Sequence, residues 1–468
     1  MPEAITADDL TSNAQEITKF LLDSLEADAA EVFGASAVIR TVQFTSTKIF
    51  GAVTREEAGF GIRYQKNGQA YFQSVDGLSL DRVKHILSSY SGMQALAYSQ
   101  EAFEFASTKS RTEETSNYDT RIAELTLQNL FDTVQSITGA VAAHKSPFFI
   151  SSGSLMAKEV QQTLVNTNGF EHQEKTTLIH LQEHLAAGDK EKTVFESNVS
   201  HTSRFLKDFD AGSITLGELD TANQYTKVSM LKGNRILPVI FSSRAMNQIG
   251  DNLLRHLLTA RYLSASLDDS KTVKPPKISE KITMIEEAGA LTRLGGHVFD
   301  HEGVPTKNLT LYKDGNPKRI PVDLLTASRS QETPTGSAYR GLPLSSDSNM
   351  HRRPPSIIIT SIAIKSGNDG EDQLLAGVDK GLVIDGIAKV NYFDTSTGNF
   401  ELSSTEAGQI NEGEKGKGSG RITVYGNLFE MLSLVESVGK NVGPGCFSFI
   451  PALKVTRMRV LGKPKEGH

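Results

Sequence analysis

The chain of 468 residues contains a single cysteine, Cys446, and no tryptophan. One thiol excludes an intrachain disulfide, which fits a reducing compartment and a cytoplasmic location. Long apolar runs are also missing. Stretches such as 236–241 and 357–364 fall far short of the roughly 20 residues that cross a bilayer. Residues 1–10 are polar and acidic, without the basic start and apolar run of a signal peptide. Basic excess is absent too, since the net charge is −6. A protein that grips a nucleic-acid backbone gathers Lys and Arg on one face. Here the local clusters, His351-Arg352-Arg353 and Lys318-Arg319, lie among Pro and Gly and read as loops. Neither nucleic acid nor membrane is therefore expected as a partner.

What is present is an ordinary globular balance. With 38% hydrophobic and 22% charged residues the chain can bury a real core. Its length suggests about two or three domains.

The first half predicts helices on an antiparallel sheet. Leu10, Ile17, Phe20, Leu21 and Leu25 recur at helical spacing over 8–27. Strand-like segments follow at 37–44, 48–54, 59–64 and 69–73, with Asn67-Gly68 as a hairpin turn. Ser79 reads as the N-cap of a helix reaching about residue 89. A long helix is expected over 119–143. From 148 to 200 the period becomes two, with turns at Asn168-Gly169 and Ala187-Gly188-Asp189. A boundary is expected near Lys232-Gly233-Asn234, dividing an N-terminal α+β domain, 1–232, from a C-terminal β-rich domain, 233–468. The second domain should open with a strand at 236–241 and a helix at 243–262. Short strands then suggest a sandwich or partly closed barrel. A late helix is predicted over 427–438, with Gly439 at its C-terminal cap. The segment 413–420 reads as a loop joining 409–410 to 422–425.

Several segments imitate catalytic motifs. His180-Leu181-Gln182-Glu183-His184 fits the H-x-x-E-H pattern of inverted zinc proteases, which requires a helix. Its surroundings alternate, so a strand is expected, with Glu183 facing away from the two histidines. The Gly- and Lys-rich run 413–420 lacks the order of a phosphate loop, and a strand rather than a helix follows it. Cys446, within Gly443-Pro444-Gly445-Cys446-Phe447, could be a nucleophile, a metal ligand or a small buried hydrophobe, and no base stands beside it in sequence. Phe299-Asp300-His301-Glu302-Gly303-Val304-Pro305-Thr306 sets two carboxylates and a histidine close together. By itself that is a charged turn, and a metal or general-base role would need distant partners.

Taken in order, the landmarks resemble one family. They are Gly59-Phe60-Gly61-Ile62-Arg63 with Asn67-Gly68, the Phe299–Thr306 segment, Thr335-Gly336, Gly381-Leu382-Val383-Ile384, Thr397-Gly398-Asn399-Phe400, Ala407-Gly408, Gly426-Asn427-Leu428, Val438-Gly439-Lys440-Asn441, Pro451-Ala452-Leu453-Lys454-Val455 and Val460-Leu461-Gly462. The set resembles the TldD/PmbA metalloproteases, known also as modulators of DNA gyrase. The resemblance implies a two-domain subunit that dimerises around a large cavity. TldD-type members carry H-E-x-x-x-H on the helix after the first strand of the second domain. Two histidines and a distant cysteine hold zinc there, and the glutamate is the general base. The matching positions here are Asp251-Asn252-Leu253-Leu254-Arg255-His256. Only His256 agrees, Cys446 falls near the family's cysteine, and Asn252 cannot take a proton from water as a carboxylate does. Read without the family, Asp251 and His256 are polar positions on an amphipathic helix.

The resemblance thus implies a PmbA/TldE-type subunit with no catalytic residue, metal or cofactor of its own. Zinc is expected in a TldD-type partner. The subunit would pair with that partner or with itself and bind unfolded peptide, with Asp300, His301, Glu302 and Gly303 as candidates for the substrate cavity. Two other readings stand beside it. One is a homodimeric peptide-binding or maturation factor without proteolysis. The other is a divergent metalloenzyme using Asp251, His256 and Cys446.

Overall fold

The computed structural model describes residues 7–91, 99–107, 117–144, 147–189, 192–267, 275–341 and 349–463. Helix α1 (Ala7–Leu25) buries Leu10, Ala14, Ile17 and Leu21, the helical stripe expected of it. Strands β1 (Ala29–Thr45), β2 (Lys48–Lys66) and β3 (Gln69–Asp76) follow, then α2 (Leu80–Ser91), α3 (Thr120–Ala123) and α4 (Leu127–Ala143). Next come β4 (Phe148–Asn166), β5 (Glu171–Asp189), β6 (Lys192–Ser203) and α5 (Ala211–Asn223). The six strands form one antiparallel sheet in the order β3-β2-β1-β4-β5-β6. Helices α1 and α2 pack with Val32, Phe60 and Ile62, while α4 and α5 pack with Val42, Phe44 and Leu181.

Turn chemistry sets this layout. Asn67 and Gly68 both have positive φ, 53° and 75°, and close the β2–β3 hairpin in two residues. Residues 48–54 and 59–64 belong to one strand, β2, rather than two. The expected helix over 119–143 breaks between α3 and α4. There Thr126 takes the N–H of Asn129, and the Asn129 side chain takes that of Thr126. This reciprocal cap starts a new helix. Ala187-Gly188-Asp189 is no turn. It stays within β5, which is bulged after Ala187.

The second half begins with β7 (Asn234–Phe241), α6 (Ser243–Ile249), a π turn at Gly250–Leu254 and α7 (Arg255–Leu267). Strand β7 lies inside a nine-stranded sheet. On one side it pairs with Leu453–Leu461, and beyond that come Ile422–Asn427, Asn399–Ser404 and the edge strand Lys389–Phe393. On the other side it runs parallel to Lys380–Ile384, followed by Ala407–Asn411 and Glu414–Gly418. A five-stranded sheet contains Met284–Glu286, Leu309–Lys313 and Ile362–Ile364. Both sheets share one core with α6, the π turn and α7. The chain is thus α+β with a β-rich second half built of open sheets, not a closed barrel. Among the described residues no helix is long and apolar enough to cross a membrane.

Two elements of this half differ from expectation. The helix predicted over 427–438 stops at Ser433, and Val435–Val438 is a strand paired with 453–455. Its valines fall at helical spacing but suit a strand better. The segment 413–420 is not a loop. Glu412 and Gly413 make the turn, with φ of 50° and 81°, and Glu414–Gly418 is an edge strand of the sheet. Ile422–Asn427 pairs instead with Asn399–Ser404.

Candidate functional site

Strand β7 delivers the chain into α6, where the Ser242 hydroxyl accepts the N–H of Ala245 and starts the helix. The loop 443–450 is strapped along this helix. Asn247 donates to the carbonyls of Gly443 and Pro444 at 3.1 and 3.0 Å and accepts the N–H of Ile450 at 2.7 Å. Glycine is required on both partners. A Cβ on Gly250 would lie 2.4 Å from the Ser448 hydroxyl, and one on Gly445 1.9 Å from the Ser448 carbonyl. This close approach carries Cys446 to the helix.

The helix changes pitch at that point. The N–H of Arg255 donates to the Gly250 carbonyl five residues back. A π turn stacks residues five apart, and such turns recur at functional sites. Its first side chain, Asp251, accepts the N–H of Phe447 at 3.1 Å. Burial raises the Asp251 pKa, opposed by Ser448, Arg255 and the backbone N–H groups of Phe447 and Cys446. Cys446 is buried, with its Sγ 3.5 Å from the Thr202 hydroxyl. Burial and the neighbouring Asp251 push its thiol up to about 11, so it is neutral at ordinary pH. A buried neutral thiol is a poor nucleophile.

The third neighbour is a cation. Arg255 is buried and donates to the carbonyls of Ile359 and Asp251, with its guanidinium 4.7 Å over the Phe447 ring. Its charge acts on both Asp251 and Cys446. The structure therefore brings Asp251 and Cys446 together and adds Arg255, which sequence reasoning passed over inside its own six-residue window. His256 is exposed and does not join them. Among the described residues no three His, Cys, Asp or Glu side chains are grouped to hold a metal ion. Two possible donors, Asp251 and Cys446, beside the fixed cation Arg255 fall short of the three or four protein ligands that a zinc site uses.

Asn252 has a different outlook. It is exposed, donates to the Gln248 carbonyl at 2.8 Å and faces a cleft of about 610 Å³. The walls are His184, Asn198 and Ser200 of β5 and β6, Gln248 and Asn252, and Lys389 and Val390 of the edge strand. Gln248 takes the N–H of Ile387, and Asn198 donates to the carbonyl of Ala388. These amides occupy the backbone just before the edge strand. The strand itself, Lys389–Phe393, is exposed along nearly its whole length.

The other candidates occupy a separate place. Asp300 accepts the N–H groups of Glu302 and Val304 at 2.9 Å each and that of Ala338 at 3.0 Å. Glu302 accepts Arg63 at 2.6 Å and the N–H of Leu324 at 2.7 Å. Arg63 also grips Glu31, to which Arg340 donates as well. His301 takes the Arg340 N–H on Nδ1 at 3.0 Å. Gly303 has φ of 79°, and a Cβ there would meet the Phe170 ring at 2.9 Å. Burial raises both Asp300 and Glu302, with Glu302 adding to the effect on Asp300 and Arg63 opposing that on Glu302. The cavity beside His301 is about 20 Å³, room for one water molecule. Glu302 through Arg63, His301 beside the Phe33 ring and Gly303 against Phe170 join the two halves of the chain, Asp300 is held within the second half, and none of the four lines the large cleft.

His180 and His184 lie on β5, bonded to Thr202 and Asn198 of β6. Glu183 is buried away from them against Thr215, as a strand requires.

A layered α+β architecture with a π-turned helix beside an open cleft is the class these features define. Residues 234–462 match the family model described as the PmbA/TldA metallopeptidase C-terminal domain. The second half of the chain is thus a domain of the TldD/PmbA family. It is 31% identical over 146 residues to a metalloprotease from Synechocystis, covering 31% of this chain and 29% of that protein. It is 26% identical over 164 residues to one from Methanocaldococcus jannaschii, covering 35% and 34%. These matches span about a third of the relatives' length. Among solved structures, TldE from Thermococcus kodakarensis has a TM-score of 0.79 at 19% identity, covering 96% of this chain and all of that one. A protein from Thermotoga maritima described as a candidate modulator of DNA gyrase also has a TM-score of 0.79, at 16% identity, covering 96% of this chain and 99% of that one. At these identities the structural likeness speaks for the fold.

Proposed function

We propose that this chain is the PmbA/TldE-like subunit of a TldD/TldE-type zinc metalloprotease complex. In this reading it shapes the chamber and holds unfolded peptide, while a TldD-type partner supplies the zinc and the general base. It has two domains, 1–232 and 233–468, and works in the cytoplasm.

The observation that carries the reading is the pairing of a helix turn that holds fixed positive charge with an open cleft. Hydrolysis needs a water activated by a metal or a base. At the helix turn Arg255 supplies fixed positive charge beside Asp251 and Cys446, and Asn252 has no proton to accept. The cleft before Asn252 is within the usual volume of ligand sites. Its edge strand, Lys389–Phe393, can take an extended peptide as an added strand, with main-chain hydrogen bonds giving affinity independent of sequence. Gln248 and Asn198 fix the inner end of that edge and so its register.

The test is reconstitution. The purified chain, a TldD-type protein and their mixture are each given an unfolded peptide, and zinc is measured in both proteins. Cleavage by the mixture above that of the TldD-type protein alone supports the reading. Zinc-dependent cleavage by this chain alone refutes it.

A further inference from the structure

Successive side chains of a strand face opposite sides of its sheet. In β7 and the strand parallel to it, Val239, Phe241, Leu382 and Ile384 fill the core, so Ile240 and Val383, paired across the two strands, face the other way. That second face has an apolar cover of its own. The short helix Glu371–Leu375 lays Leu374 and Leu375 on Ile240 and Val383. The cover is incomplete. Between this helix, the start of α6 and the loop 439–441 lies a cavity of about 190 Å³, floored by Ile240, Leu374, Leu375 and Val383. Its walls are tied together. The Lys440 N–H donates to the Asp369 carbonyl at 2.8 Å, the Gly439 N–H to that of Ala452 at 2.7 Å, and the Ser437 hydroxyl to the Asp369 carboxylate. The cavity shares no lining residue with the large cleft.

Size and charge select the occupant. An apolar cavity of roughly 150 Å³ takes a benzene-sized group, while drug-sized ligands fill about 300 Å³ or more. The space here suits one aliphatic side chain, with its polar end at the mouth. Three carboxylates and one ammonium stand around that mouth, on Asp369, Glu371, Asp385 and Lys440. Asp385 is already met by Lys415 at 2.8 Å and by the Tyr225 hydroxyl. Among the described residues Asp369, Glu371 and Lys440 have no ion-pair partner, and Glu371 and Lys440 are exposed. Uncommitted charge of both signs above an apolar floor is complementary to a zwitterion with an apolar tail. We propose that this cavity binds a free apolar α-amino acid of about leucine's size. Its side chain lies on Ile240 and Val383, its ammonium beside Asp369 and Glu371, and its carboxylate beside Lys440.

The test is calorimetric titration of the full chain with L-leucine, L-leucinamide and N-acetyl-L-leucine. Leucine should bind one to one. Leucinamide lacks the carboxylate and acetyl-leucine the ammonium, so each should bind at least about ten-fold more weakly, the worth of one charge-assisted hydrogen bond. Lys440→Met should weaken leucine at least about five-fold and leave leucinamide unchanged, whereas Glu371→Gln should weaken leucine by a similar factor and leave acetyl-leucine unchanged. Both side chains are exposed, so the variants keep the fold, and melting temperatures check it. Absence of binding at millimolar leucine overturns the proposal. So does equal binding of the three ligands, or leucine binding that both variants leave untouched. None of these results bears on the peptide-cleft reading, which reconstituted cleavage tests separately.

Discussion

In the turn 300–303 every carboxylate oxygen is engaged. Asp300 takes three N–H groups, and Glu302 takes Arg63 and the N–H of Leu324. At the helix turn 251–256 the acid is also tied down, but the next residue, Asn252, looks into a cleft of about 610 Å³. Both stretches mix Asp, His and an acid or amide within a few residues. One is consumed in joining the halves of the chain, and the other keeps a surface open. The difference lies in the partner. Glu302 meets an arginine already shared with Glu31, both fully buried, whereas Asn252 meets its own helix carbonyl and solvent. Charge that is buried must be paired, and pairing removes it from chemistry.

The comparison can be broken hardest at the knot. Arg63→Ala leaves Glu31 and Glu302 buried without their main cation. We expect a loss of about 3–5 kcal/mol in urea unfolding. A loss below about 1 kcal/mol would mean that the knot does not hold the halves together. Among the described residues the carboxyl of Glu286, buried near the same turn, is met by the Ser337 hydroxyl and the Thr360 N–H. Burial pushes it up to about 8 from 4.5. A raised carboxyl favours the protonated folded state, so its stabilising effect is full below 4.5 and is lost as pH rises through about 8. Wild type should lose roughly 3–5 kcal/mol over that window beyond what Glu286→Gln loses. Parallel pH curves would contradict this. At the helix turn the effects should be small. Asp251→Asn keeps an acceptor for the Phe447 N–H and replaces a carboxyl that burial already disfavours as an anion, so stability should move by less than about 1 kcal/mol. Asn252→Glu, on the exposed side, should change stability by less than about 0.5 kcal/mol and give the isolated chain no peptidase activity. Appearance of hydrolysis would show that the missing glutamate alone had silenced the site.

Local signals carried much of the fold. The stripe of α1, the Asn67-Gly68 turn and the period-two run of β4 and β5 are written in consecutive residues. Where sequence misled, local spacing agreed with two structures. Ile122, Leu127 and Leu130 keep helical spacing across the break before α4, and only the Thr126–Asn129 cap marks it. Val435 and Val438 fit a helix, yet their partners lie at 453–455. The site was half legible. The helix and its departures from the motif could be read, but the approach of Cys446 depends on Gly250 and Gly445 fitting closely around Ser448. Arg63 reaches Glu302 across 239 residues, a contact no spacing rule locates. Arg255 stood in plain view, and the signal missed was a cation inside the six residues that match the family's zinc motif so poorly.

The most direct measurement is peptide cleavage by this chain alone, after purification without chelator and with zinc supplied, set against cleavage with a TldD-type protein added. The account predicts no turnover and no stoichiometric zinc for the chain alone, with turnover in the mixture above that of the added protein by itself. Zinc bound one to one in the isolated chain, with hydrolysis abolished by Asp251→Asn or Cys446→Ser, would contradict it.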